Sequence, residues 1–179
     1  KVLMLNKQAG VICSNKDEEG RKSVFDFLPE NTRWVMVGRL DLNTSGLLLF
    51  TNNGDLANKL MHPSSEIDRE YAVRVLGRVS DEDIKQLISG IELDDGFAKF
   101  HKVTLGGGDG ANRWYHVVVR EGRKREVRRL WEALDFKVSR LIRTRFSDIR
   151  MPDNLRANQS ELLKPKQVQA LLNAVKLKG

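Results

Sequence analysis

The chain contains one cysteine, Cys13. No intramolecular disulfide can form, a cysteine-rich zinc site is excluded, and a lone thiol suits the reducing cytoplasm, where the protein is expected to work. Histidine is nearly as scarce, and His62, His101 and His116 lie far apart along the sequence. No metal and no other cofactor is expected. No apolar run approaches the roughly 18 residues that a membrane span needs, so no membrane partner is expected. There is no internal repeat, no long low-complexity segment and no Gly-x-Ser-x-Gly elbow. The cluster Gly106-Gly107-Gly108-Asp109-Gly110 lacks the Lys-Ser/Thr ending of a phosphate loop and reads as a flexible turn. What remains for chemistry is aspartate, tyrosine and arginine.

Positive charge is abundant. Of 179 residues, 31 are Lys or Arg and 24 are Asp or Glu, a net +7. Residues 120–150 hold eleven basic side chains, nine of them arginine, against five acids. Most of the excess therefore sits in one stretch. Arginine suits bidentate phosphate contacts and stacking on bases, so a polyanionic partner is expected rather than a solvated helix face.

The periodicity predicts mixed elements. Val2 to Leu5 and Gly10 to Cys13 read as short apolar runs around a loop or hairpin. Asn15 to Lys22 reads as polar and exposed. Ser23 to Leu28 predicts a short helix stopped by Pro29, and Asp55 to Met61 a helix ending before Pro63. Glu70 to Gly77 alternates as a strand. Ser80 opens a helix with Asp83 placed for a capping box. Phe97 to Leu105 and Trp114 to Arg120 read as antiparallel strands around the glycine cluster. Lys124 to Leu134 reads as a helix, with Val127, Leu130, Trp131 and Leu134 as its core stripe. Arg128 lies on the flank of that stripe, where it can bury its stem and aim its head into a cleft. Phe136 to Phe146 reads as a strand and Leu155 to Leu163 as irregular. Pro165 opens a terminal helix that docks through Val168, Leu171, Leu172 and Val175. The regular βα alternation of a doubly wound fold is missing, so the expectation is α+β with a mixed, largely antiparallel central sheet flanked by helices and loops.

The most informative stretch is Gly38-Arg39-Leu40-Asp41-Leu42-Asn43-Thr44-Ser45-Gly46-Leu47-Leu48-Leu49-Phe50. It sets Arg39 and Asp41 in a loop between Trp34-Val35-Met36-Val37 and an apolar strand. On chemistry alone this is as readily a surface turn with an exposed ion pair.

The run Gly38 to Pro63 resembles the catalytic-loop motif of the RsuA-like RNA pseudouridine synthases. Asp68-Arg69-Glu70-Tyr71-Ala72-Val73-Arg74-Val75 resembles the strand that carries that family's active-site tyrosine. Gly122-Arg123-Lys124-Arg125-Glu126-Val127-Arg128-Arg129-Leu130-Trp131 resembles the segment with its basic residue, and Val138 to Arg143 the late strand that supplies an apolar wall. The four motifs occur in the family's order. The resemblance implies the pseudouridine synthase fold over residues 1–179, with 151–179 a C-terminal extension ending in a helix. It also implies that an S4-type RNA-binding domain, which usually precedes this one, is absent from the chain.

The resemblance further implies roles. Asp41 would be the nucleophile in a cofactor-free isomerisation of uridine to pseudouridine, by a covalent or a glycal route. Arg128 would pair with Asp41 and fix its direction. Tyr71 and Leu141 would enclose the target base, and Arg39 would fill the space left when it flips out. Arg123, Lys124, Arg125, Arg129, Arg140, Arg143 and Arg145 would grip the RNA backbone. The implied partner is a stem-loop of large-subunit ribosomal RNA, bound by a monomer. Two rival readings stand beside this one. A non-catalytic RNA-binding or ribosome-assembly module shares the basic segment but gives Asp41 no task. A carboxylate-dependent hydrolase of a small nucleoside uses Asp41 but leaves the arginines unexplained.

Overall fold

The computed structural model describes residues 1–14 and 19–177. The expected exposed stretch from Asn15 to Lys22 thus falls partly outside the described residues. Among the described residues no helix is long and apolar enough to cross a membrane.

The strands are β1 (Val2–Lys7), β2 (Val35–Val37), β3 (Ser45–Thr51), β4 (Arg69–Leu76), β5 (Ile91–Leu93), β6 (Gly96–Ala98), β7 (Lys102–Asp109), β8 (Asn112–Val119), β9 (Lys137–Phe146), β10 (Ile149–Arg150) and β11 (Ser160–Leu162). The helices are α1 (Gly54–Met61), α2 (Asp81–Ser89), α3 (Glu126–Glu132) and α4 (Pro165–Ala174). The main sheet runs β11-β1-β3-β9-β4-β8-β7, with β2 paired to β3 and β10 to β9. Its pairings are antiparallel except β3 with β9. This is the expected α+β architecture.

The apolar run of β3 is explained by burial on both faces. Leu47 and Leu49 pack with Val2, Met4, α1 and α4 in one cluster. Leu48 and Phe50 pack with Leu3, Leu5, Val24 and Leu40 in another, on the opposite face. A third cluster joins Val73, Val75, Val117, Val119 and Leu141 to Val127, Leu130 and Trp131 of α3. Leu171, Leu172 and Val175 of the terminal helix sit in the first cluster, as expected of a docked helix.

Several elements differ from their sequence reading. β1 forms no hairpin with residues 10–13; it pairs with β3 and β11, and Ile12 makes an isolated parallel bridge to Ser23. Residues 160–162 are the edge strand β11 rather than irregular chain. The run from Phe97 is split: β6 turns back on β5, and β7 begins afresh at Lys102. Gly106 to Gly108 lie inside β7, at a register shift, and the chain reverses after Asp109. The physical reason is crowding: a side chain at Gly106 would meet the His116 ring, and one at Gly108 the backbone of β8. α3 starts at Glu126, not Lys124, because Arg125 adopts a left-handed conformation with φ +54°.

Candidate active site

Strands β2 and β3 are joined by the loop that carries Asp41. Thr44 donates its N–H to the Asp41 carbonyl at 3.0 Å, a turn with aspartate at its first position, where that residue is favoured. Gly10 donates to the Leu42 carbonyl at 2.8 Å. Lys7 is fully buried beneath the loop, and its Nζ donates to the carbonyls of Gln8, Asp41 and Thr44 at 3.1, 3.1 and 2.7 Å. Burial pulls the Lys7 ammonium below its ordinary pKa, opposed by Cys13 and Asp41. Arg128 Nη2 donates to the Asn43 carbonyl at 3.0 Å. Every carbonyl from Asp41 to Thr44 is thus held, which makes the loop a rigid platform for one carboxylate.

Among the described residues, the cation paired with that carboxylate is not the expected one. Arg125 Nη1 lies 3.5 Å from Asp41 Oδ2. Arg128 was expected to pair with Asp41, but its donor goes to the loop backbone two residues on. The left-handed Arg125 is the cause, since it opens α3 late and turns its own side chain into the cavity. Arg128 is buried, and burial followed by the Arg125 charge lowers its pKa, while Asp41 raises it.

Asp41 opens on a cavity of about 750 Å³. Tyr71 and Leu141 line it from β4 and β9, and Arg39, exposed, lies at its rim. The sheet thus brings Arg39, Asp41, Tyr71, Arg125 and Leu141 into one cleft. Tyr71 packs against two of the core clusters at once, which fixes its ring. A second cavity, of about 390 Å³, is lined by Asn43, Ser45, Arg128, Ser139 and Arg140 and shares Leu141 with the first.

The expected phosphate-binding residues divide. Lys124, Arg125 and Arg140 are exposed. Arg129 is held by both carboxylate oxygens of Asp95 at 2.8 and 3.0 Å, a hydrogen bond that raises its pKa and lowers that of Asp95. Arg123 is tied to Glu121 at 2.8 Å and to the Phe97 carbonyl at 2.8 Å. Arg145 contacts Glu70 at 3.3 Å and the Ser147 carbonyl at 2.8 Å. Arg143 is only 3% exposed, too enclosed to meet a backbone passing over the surface.

Sequence reasoning missed four residues here. Lys7 shares its face of β1 with Leu3 and Leu5, and Arg69 shares its face of β4 with Tyr71 and Val73, so strand parity was the available signal. Glu126 is buried in the first turn of α3, with neither carboxylate oxygen hydrogen-bonded. Burial and then Glu121 push its carboxyl up from 4.5 to about 7, against Arg123, Arg129 and Arg69. Gly46 has φ +115°, and a Cβ there would collide with the Arg143 carbonyl. No local pattern marks either residue.

Residues 1–133 match the profile of a family described as RNA pseudouridylate synthase. A ribosomal large subunit pseudouridine synthase B from Yersinia pestis is 57% identical over 157 residues, covering 87% of this chain and 49% of that protein. The protein of the same name from Vibrio vulnificus is 50% identical over 180 residues, covering 99% of this chain and 56% of its own length. The chain therefore spans about half the length of these relatives. Among solved structures, a pseudouridylate synthase superposes with a TM-score of 0.84 at 26% identity, over 96% of this chain and 73% of the other. An H/ACA ribonucleoprotein bound to a substrate RNA containing 2′-deoxyuridine shares the fold, with a TM-score of 0.61 at 20% identity, over 87% of this chain and 50% of the other. With its profile, its relatives and its fold in agreement, the chain belongs to the RNA pseudouridylate synthase family.

Proposed function

We propose that this chain is the catalytic unit of an enzyme that isomerises uridine to pseudouridine in large-subunit ribosomal RNA. The observation that carries the reading is Asp41. Its carboxylate is presented by a loop whose carbonyls are all bound, at the mouth of a cavity walled by Tyr71 and Leu141. Such a cavity fits a single flipped nucleotide, because ligand sites of this size commonly run to ~300–1,000 Å³.

The target uridine leaves its stem and enters between Tyr71 and Leu141, while Arg39 fills the gap it leaves. Asp41, oriented by Arg125, attacks the sugar C1′ or removes the C2′ proton, and the N1–C1′ bond breaks. The uracil turns and C5 bonds to C1′ as the Asp41–C1′ bond breaks, or as Asp41 returns its proton to C2′ of the glycal; the C5 proton is lost and N1 gains one. Neither a metal nor a nucleotide enters this scheme. Arg128 holds the loop that carries Asp41. Lys124, Arg125 and Arg140 meet the backbone of a stem-loop recognised by its shape. The unit acts as a monomer in the cytoplasm.

The test is product analysis. After incubation with a large-subunit ribosomal RNA transcript, nuclease digestion and nucleoside chromatography should show pseudouridine. A matched small-subunit transcript and free uridine should show none. Turnover of free uridine instead would identify a nucleoside enzyme. Tight RNA binding without product would identify a binding module.

A further inference from the structure

Two arginines are buried against the cavity with no carboxylate at ion-pair distance among the described residues. Arg69 is 8% exposed and Arg143 is 3% exposed, and both line the cavity with Asp41. Arg69 Nη1 donates to the Ile67 carbonyl and Arg143 Nε to the Leu47 carbonyl, each at 2.8 Å. Both guanidinium carbons lie 5.2 Å from the centre of the Phe146 ring, which offsets part of their desolvation. Among the described residues neither arginine forms an ion pair, and Arg143 Nη2 is enclosed with no hydrogen-bond partner. Unpaired buried charge is costly, and a site that keeps it has a use for an anion.

Position indicates which anion. Arg143 is the registered cross-strand partner of Tyr71, so the two side chains are close neighbours on one face of the sheet. It follows Leu141 by two residues on β9, on that same face. Its side chain, which lines the cavity, therefore lies beside the slot between the two walls rather than out along a bound backbone.

We propose that Arg143, supported by Arg69, binds the uracil ring and stabilises the negative charge it acquires when the glycosidic bond breaks. This rests on the function proposed above. In either route the electron pair of the N1–C1′ bond stays on N1 and spreads to the O2 and O4 carbonyl oxygens. The carbon is left bonded to Asp41, or the C2′ proton passes to Asp41 and a glycal forms. The Arg143 guanidinium, through its edge that lines the cavity, donates a hydrogen bond to one of those oxygens, and the bond strengthens as charge develops. A fixed donor aimed at developing charge in a water-poor site favours the transition state over the ground state. As the ring turns and C5 attacks C1′, the charge is spent and the C5 proton leaves. Arg143 is catalytic in this scheme because it touches the reacting base, and Arg69 is a positioning residue.

The experiment compares uridine with 5-fluorouridine at the target position of one RNA under single-turnover conditions, scoring cleavage of the N-glycosidic bond. Fluorine stabilises the departing uracil anion, so the substituted base needs less help from the protein. Arg143→Gln should slow cleavage of uridine by roughly a hundredfold and that of 5-fluorouridine by less than about tenfold. Arg143→Lys, which keeps the charge but loses the fork, should fall between, and it decides the matter if Arg143→Gln does not fold. Equal slowing on both bases, in a variant that melts like wild type, would overturn the proposal. Equal slowing with a weaker salt dependence of binding would overturn it in favour of a phosphate site. Wild type inactive on both bases would instead overturn the function on which it rests.

Discussion

Lys7 decides where Asp41 can be. Its ammonium is fully buried and tied to four carbonyls, three of them in the loop that carries Asp41. Replacing it by Met leaves the Thr44 carbonyl buried without a donor and strips one of two donors from the Gln8 and Asp41 carbonyls, each lost bond worth ~1–3 kcal/mol. Lys7→Met should lower stability by about 3 kcal/mol, read by urea denaturation, and reduce turnover more than RNA affinity. A variant with wild-type stability and turnover would show that the loop holds itself. Asp41, Tyr71 and Leu141 were legible as a set only through the ordered motifs, since each has an ordinary reading as a turn aspartate or a core residue. Lys7 and Arg143 were legible in principle from parity alone. A basic residue in phase with the buried side of a strand points inward. The basic stretch hid this for Arg143, because its neighbours suggested surface.

At the scale of elements, two contacts shape the cleft. β3 and β9 pair in parallel through only Ser45 with Ile142 and Gly46 with Arg143, and that short pairing joins the end of the Asp41 loop to the strand of Leu141, so that both residues line one cavity. Gly46 permits it because φ is +115° and no Cβ intrudes on the Arg143 backbone. Gly46→Ala should cost about 3 kcal/mol or more in denaturant unfolding, and an unchanged midpoint would contradict this packing. α3 supplies the second contact and carries a pH-dependent strain at Glu126. Its carboxyl rises from an ordinary 4.5 to about 7 on folding, so the folded state favours the protonated form. That contribution is complete below about pH 4.5 and is lost as pH rises through about 7, a change of up to about 3 kcal/mol. Glu126→Gln does not titrate. Its melting temperature should gain on wild type between pH 5 and pH 8, and a constant difference would show that Glu126 is well solvated. Most elements followed from periodicity and capping, as with Ser80 and α2. The glycine-rich β7 and the edge strand β11 did not, because each depends on pairing with distant chain that no local pattern encodes.

At the scale of the whole molecule, the excess of basic side chains is only partly available to a polyanion. Arg123, Arg129 and Arg145 are held by Glu121, Asp95 and Glu70, and Arg125, though exposed, pairs with Asp41, whereas Lys124 and Arg140 are exposed. Charge counting located the basic face but could not divide it, because the acidic partners come from elsewhere in the chain. Arg140→Ala should therefore lower the slope of log affinity against log salt by roughly one contact, about 0.7–0.9, while Arg129→Ala leaves it unchanged. Equal slopes for the two variants would remove the distinction. The central claim is that Asp41 performs isomerisation within this charged cleft. The measurement that tests it most directly is release of the uracil C5 hydrogen, as tritium, from labelled large-subunit ribosomal RNA, by wild type and by Asp41→Asn. The account predicts release by wild type alone, with RNA affinity of the variant within a few-fold. Release by Asp41→Asn at the wild-type rate would contradict it.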